Sequence, residues 1–487
     1  MFRHLINPKV SVCVIFVSSM FMSIMDSTIV NVTLPTLVRQ LHTSNTTIEA
    51  VVTGYVVSLA VVIPASGWLG DRWGTKRVFL IALALFSAAS ALCGQARSAE
   101  MLIWFRVLQG AAGGALTPVG TAILYRTFPP QERVQVSRVL MIPTVIAPAM
   151  GPILGGFLVD HFTWNWVFYV NVPIGVAVCI FGFFFLQEHR EPAAGRFDIA
   201  GFLSAGIGLA LLLYALGAGP TYGWATPNTL VSAVAGILIL VAFVAIELRI
   251  KEPMIDLRLL RDRLFRTANL ASFFSGAGFL GLLYTAPLFL QEGRHETALM
   301  SGLTTFPEAV GVILSTQLVA RLYPLVGPRR LMGCGLICVA ALISLFWLMG
   351  GDTSLWWMRL LMFLVGAGMA FAFLPSQAAG FATISSADTG RASALNSAQR
   401  QLGGAFGIAV CGSMLGVLGQ TTLNASGVEQ PNLAAYHVAF LASALLVLVA
   451  STIAFRISDR DAAITMQRRK RGAAADTEGV EPALGMD

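Results

Sequence analysis

The chain has 487 residues, of which 56% are hydrophobic and only 12% charged, with a mean hydropathy of +0.74 and a net charge of +7. Soluble domains carry about 25% charged residues, so a soluble enzyme or a soluble binding module is excluded. Apolar stretches of about twenty residues, each able to cross about 30 Å of hydrocarbon as a helix, recur along the whole length, whereas a membrane β-barrel would show short alternating strands.

In chain order, fourteen transmembrane helices are predicted at 10–35, 48–68, 78–96, 100–124, 136–160, 164–186, 199–217, 229–248, 267–290, 297–320, 331–350, 355–380, 392–418 and 433–455. The first follows Arg3 and Lys9 without a small-residue cleavage site, and so reads as an uncleaved span rather than a signal peptide. With the N-terminus cytoplasmic, 26 of the 32 Lys and Arg residues fall in inside segments, and Arg39, Arg97 and Arg294 fall outside. Arg106, Arg359 and Arg400 lie within spans. That asymmetry obeys the positive-inside rule, puts both termini in the cytoplasm and explains the basic balance without a nucleic-acid partner. The six cysteines sit in apolar runs and the six histidines are scattered, so neither a disulfide framework nor a metal or other cofactor is expected. Scattered polar groups and short loops also argue against a membrane enzyme or sensor.

The polar residues inside the spans carry the functional signal. Asp26 in span 1 is costly in hydrocarbon, which makes function its default reading, and Arg106 in span 4 is its expected partner. Asp26 lies about nine residues before the outer end of its span and Arg106 about nine after Arg97, so at about 1.5 Å per residue they reach similar depths. The loop after span 2 carries Gly67, Gly70, Asp71, Arg72, Gly74 and Arg77, which suit close backbone approach and capping or pairing of a neighbouring helix across a gate. Span 5 carries Pro143, Pro148, Gly151, Pro152, Gly155 and Gly156, expected to kink that helix and let its neighbours approach closely. Glu308 follows Pro307 near the middle of span 10, to bind a cationic substrate, carry a second proton, or pair with Arg400. Arg400 lies between Gln399 and Gln401 and is read as structural glue or a gate element. Asn31, Gln109 and Asn396 join Glu308 as candidate substrate contacts.

The loop after span 10 echoes the one after span 2. Aligning Gly74 with Gly327 matches Lys76-Arg77 to Arg329-Arg330, while Pro324 stands in place of Asp71, which predicts a weaker lock on the second side. The organisation expected is an all-α protein with a six-helix bundle at 1–190 and two inserted helices with a linker at 191–260. A second bundle follows at 261–458, and then a disordered tail at 459–487.

Residues 67–80, Leu102–Gly114 and Ala147–Gly156 resemble the loop, fourth-helix and antiporter motifs of the major facilitator superfamily. Met25–Pro35 is similar to the first-helix motif of its fourteen-span drug:proton antiporters, the EmrB/QacA type, and Trp164–Gly175 and Ala394–Gly404 resemble further stretches of that group. Asn165 departs from it, since an Arg is usual between the two tryptophans. The resemblance runs over nearly the whole chain and implies a major facilitator fold. It also implies proton coupling at Asp26 and Arg106, a hinge or seal at span 5, and export of amphipathic, cationic or lipophilic drugs across a bacterial inner membrane. The alternative is a dedicated exporter of one metabolite, siderophore or lipid-like compound. The expected partners are the lipid bilayer, lipophilic small molecules and protons, with a periplasmic adaptor and an outer-membrane channel as a further assembly.

Overall fold

The computed structural model describes residues 7–191, 197–250, 253–423 and 429–466. Its long helices are α1 (Pro8–Gln40), α2 (Asn45–Trp73), α3 (Thr75–Cys93), α4 (Ala99–Thr127), α5 (Arg133–His161), α6 (Asn171–Phe185), α7 (Ile199–Tyr222) and α8 (Pro227–Arg249). They continue with α9 (Arg263–Leu288), α10 in two pieces (Ala298–Thr305 and Pro307–Val326), α11 (Pro328–Ser344), α12 (Leu355–Gly380), α13 (Thr389–Leu418) and α14 (Leu433–Ala454). Thirteen of these stretches are long and apolar enough to cross a membrane. α5, several of whose side chains lie outside the described residues, is the fourteenth long helix.

Side-chain caps start many of these helices by accepting a first-turn N–H that would otherwise be orphaned. Asn7 accepts from Lys9 at 3.0 Å, Ser98 from Met101 at 3.2 Å, and Asp262 from Phe265 at 2.8 Å. Gly74 (φ +99°) and Gly327 (φ +82°) turn the chain between α2 and α3 and between α10 and α11, a backbone region that side chains resist. At both turns a carboxylate from the stretch after the sixth helix of each half caps the next helix. Glu188 accepts from the Lys76 N–H at 2.9 Å, and Asp459 accepts from the Arg329 N–H at 2.9 Å. The sequence echo is therefore a repeat of geometry.

In the first half α1 packs mainly on α5, and α4 on α2 and α3; in the second, α10 packs on α12, and α9 on α13 and α14. The α7–α8 hairpin lies against α2 and α13. Outward faces such as Leu230, Val231, Leu238 and Val241 of α8 are exposed and apolar, as contact with lipid demands. The halves meet through α2 and α4 on α13, and through α5 on α10 and α12.

Several expectations are sharpened. α1 ends at Gln40, five residues beyond the predicted limit. Span 10 breaks at Phe306–Pro307, where proline lacks the N–H that would continue the ladder. α5 is assigned as one unbroken α-helix despite its prolines. A two-stranded hairpin, β1 (Thr421–Leu423) and β2 (Glu429–Pro431), joins α13 to α14. Of the tail expected to be disordered at 459–487, the described residues 459–466 are ordered: Ala463–Met466 forms a helical turn, and the buried Thr465 hydroxyl lies 2.8 Å from that of Tyr323. This turn contacts Pro130–Glu132, and the Lys9 ammonium pairs with Glu132, so both described ends share one face, the arginine-rich one.

Candidate functional site

Asp26 is fully buried on α1 and sits at the centre of a polar cluster drawn from five helices. Its Oδ2 accepts from Arg106 Nη1 at 2.6 Å, and its Oδ1 accepts from Gln109 Nε2 at 2.9 Å and Asn171 Nδ2 at 2.7 Å. Arg106 also donates to Gln109 Oε1 at 2.8 Å. One turn of α4 thus presents both the cation and the amide, because positions three apart share a helix face. Asn171 Nδ2 reaches Ser90 Oγ on α3 at 3.1 Å, and that hydroxyl donates to the Phe168 carbonyl at 2.8 Å. The Arg106 guanidinium lies over the Tyr55 ring of α2, 4.1 Å from its centroid, a cation–π contact that partly replaces lost hydration.

The pair is fully desolvated, yet incompletely saturated. Arg106 Nε and Nη2 and Asn171 Oδ1 are buried without hydrogen-bond partners. A charge pair in low dielectric holds only while both partners stay charged and close, so adding a proton to Asp26 weakens its hold on Arg106. This is the chemistry a proton carrier needs.

Asp26 lies fourteen residues before the end of α1 at Gln40 and Arg106 seven after the start of α4 at Ala99, and the long arginine side chain spans the gap between the two helices. Asn171 was not singled out by sequence reasoning. Its signal was a lone amide opening the apolar run that ends at Phe185, within the Trp164–Gly175 stretch.

Next to this cluster, α5 approaches α1 at Gly151. A Cβ there would fall 2.1 Å from Thr28 Oγ1 and 3.1 Å from the Ile29 nitrogen, two and three residues past Asp26. Gly151→Val should displace α1, lowering thermal stability by about 1–3 kcal/mol and reducing transport; detergent melting with a vesicle assay checks both. Pro148 is half-buried and Gly155 buried, while Gly156 faces open space. The Pro152 and Asn31 side chains lie outside the described residues.

On the arginine-rich face the loop residues close the two halves against each other. Asp71 Oδ1 accepts from Arg126 Nη2 at 2.7 Å, and Arg126 Nε donates to the Ser386 carbonyl at 3.2 Å in the other half. Asp71 also lies against the first turn of α13, where a Cβ on Gly390 would come within 2.7 Å of Oδ1, so the carboxylate meets a helix N-terminus. Gly67 meets Gly390 backbone to backbone, and Gly70 packs on Thr75 and Val119. Tyr125 stacks on Phe381 with ring centroids 4.4 Å apart and donates to the Gln377 carbonyl at 3.2 Å. Arg72 is exposed, and Arg77, also exposed, lies 3.8 Å from Glu188.

In the second half Glu308 is 8% exposed, and among the described residues no ion pair or hydrogen bond engages its carboxyl. Arg400 likewise has no acidic partner there, so the two do not form the ion pair weighed from sequence. The Glu308 backbone abuts Gly366 of α12. Asn396 donates to Asn269 Oδ1 at 2.7 Å, tying α13 to α9.

A sequence profile for the Major Facilitator Superfamily matches residues 16–408 and 270–477. A multidrug resistance protein B homolog of Mycobacterium tuberculosis is 32% identical over 399 residues, covering 81% of this chain and 74% of that protein. A putative multidrug resistance protein, MdtD, of Klebsiella pneumoniae is 30% identical over 455 residues, covering 92% and 95%. The multidrug export protein EmrB of Haemophilus influenzae is 34% identical over 329 residues, covering 67% and 64%. Among solved structures, the human organic anion transporter MFSD10 covers 92% of this chain and 100% of its own with a TM-score of 0.67 at 18% identity, a likeness of fold. The chain is a multi-pass membrane transporter that belongs to the major facilitator superfamily, in its family of multidrug resistance transporters.

Proposed function

We propose that the chain exports amphipathic, cationic or lipophilic compounds from the cytoplasm or the inner leaflet of a bacterial inner membrane, in exchange for protons. In this reading the arginine-rich face is cytoplasmic and both termini lie there. The observation that carries it is the sealed carboxylate of Asp26, held by Arg106, Gln109 and Asn171 without access to water. Opening toward the outside lets a proton reach Asp26, which loosens its bond to Arg106. The bundles then rock, the Asp71–Arg126 closure separates, and the proton leaves to the cytoplasm as Arg106 re-forms its pair. Substrate enters the cleft in that inward-open state, and closure returns it outward. A pH gradient stores about 1.4 kcal/mol per unit, which drives export against a concentration ratio.

Everted vesicles with a pH-sensitive quenching dye and a lipophilic cation test this reading. Asp26→Asn, which is nearly isosteric, should abolish cation-dependent collapse of the pH gradient while leaving substrate binding in place. Coupled efflux at the wild-type rate in this variant overturns the assignment. Glu308, which pairs with no cation among the described residues, is the group proposed to face a cationic substrate. Glu308→Gln should weaken cation export about tenfold or more and leave neutral substrates unchanged, measured as KM in the same vesicles.

A further inference from the structure

The arginine-rich face of the second half carries an open depression of about 660 Å³, lined by exposed arginines, that belongs to neither the Asp26 cluster nor the gate. Four of its lining residues are arginines, and they come from three separate segments: Arg263 at the start of α9, Arg329 at the start of α11, and Arg456 and Arg460 after α14. None of the four side chains forms an ion pair with a described acidic residue. Asp459 is the acidic residue in the lining, and its Oδ1 already accepts from the Arg329 N–H. Phe455 and Ile457 supply an apolar wall.

The first half provides an internal control. At its equivalent turn Glu188 caps α3 and also approaches the Arg77 guanidinium at 3.8 Å, so the carboxylate there serves backbone and cation together. In the second half a comparable cap faces four guanidiniums. The positive-inside rule accounts for basic residues on a cytoplasmic face, but it does not require guanidiniums from three segments to line one depression. Arginine forks match the oxygens of a phosphate group, and basic pockets at the ends of transmembrane helices suit phosphorylated headgroups. The N-termini of α9 and α11 open at the same place, each already capped by one carboxylate, Asp262 and Asp459, so the four guanidiniums carry the excess positive charge.

We propose that this depression is an anion site for a phosphate group, carried either by the headgroup of an anionic phospholipid or by a free phosphate compound. The apolar wall of Phe455 and Ile457 favours the lipid, whose glycerol end would lie against it. Only the assignment of that lipid to the cytoplasmic leaflet rests on the proposed orientation; the site itself does not.

The full-length protein purified in a zwitterionic detergent is titrated with phosphatidylglycerol, phosphatidylcholine and inorganic phosphate, and binding is read by native mass spectrometry and by thermal shift. The variants are Arg456→Gln/Arg460→Gln and Arg263→Gln, with Arg190→Gln, outside the depression, as control. The wild type should bind phosphatidylglycerol saturably in preference to phosphatidylcholine. The double variant should need about tenfold or more lipid for the same occupancy, while Arg190→Gln stays at the wild-type value. Saturable binding of inorganic phosphate that competes with the lipid, or replaces it, and is lost in the double variant also supports the site and identifies the free anion as ligand. Equal binding by wild type, Arg263→Gln and the double variant overturns the proposal, as does a loss of the same size in Arg190→Gln. Because the assay reads binding in detergent, failure of proton coupling would leave its outcome unaffected.

Discussion

Arg106→Leu is expected to cost about 3–5 kcal/mol of stability, a far larger loss than most single substitutions in a transporter produce. The cause is the position of Asp26. Its carboxylate has no route to water, and its one cationic partner among the described residues is the guanidinium at 2.6 Å. The amides of Gln109 and Asn171 can hold Oδ1 but carry no charge to offset the carboxylate. Leucine removes the cation together with its contact on the Tyr55 ring and leaves the negative charge behind. Asp26→Asn in the Arg106→Leu background should restore most of the lost stability, because the stranded charge is gone. The restored protein should still fail to exchange protons. Thermal unfolding of the two single variants and the double variant in detergent measures the coupling, and vesicle quenching measures the exchange. Additive losses in the double variant would mean that the two side chains do not act as a pair.

The amount of this that was legible in the sequence follows from the physics of each feature. Spans are legible because hydrocarbon demands uninterrupted apolar length, and their order can be checked against arginine and lysine in the loops. Asp26 and Arg106 are legible because charge inside a span is rare and expensive. Their joint partner Asn171 was not, since a lone amide at the start of a helix is commonplace and its value depends on where that helix points. Sequence alone makes Gln109 a candidate substrate contact and does not show that its carboxamide bridges Arg106 and Asp26, which only three-dimensional packing reveals. The Gly74–Gly327 echo was visible, but the carboxylates that complete each turn come from after α6 and after α14. They lie 114 and 132 residues away from those glycines, beyond the reach of any local pattern. The break at Phe306 and the ordered turn at Ala463–Met466 depend on tertiary contacts in the same way.

The second large effect is expected at Gly67. A Cβ on this residue would lie 2.7 Å from the Gly390 carbonyl oxygen and 3.0 Å from its carbon. Both are backbone atoms, so no side chain can rotate aside, and Gly67→Leu can be accommodated only by moving α2 away from α13. That movement separates Asp71 from the first turn of α13 and pulls Arg126 from the Ser386 carbonyl, so the substitution should open the arginine-rich face. A single cysteine at Ser386, in a background lacking the six native cysteines, provides the readout. Labelling by a membrane-impermeant maleimide added from that face should rise about tenfold in Gly67→Leu, with a matching fall in efflux. Gly390→Leu approaches the same seal from the other half, since its Cβ would meet the Asp71 carboxylate at 2.7 Å, and should give the same labelling pattern. Because the obstruction there is a side chain, which can swing away, its effect should be the smaller of the two. Equal labelling in wild type and Gly67→Leu would show that the contact between these glycines does not hold the face shut.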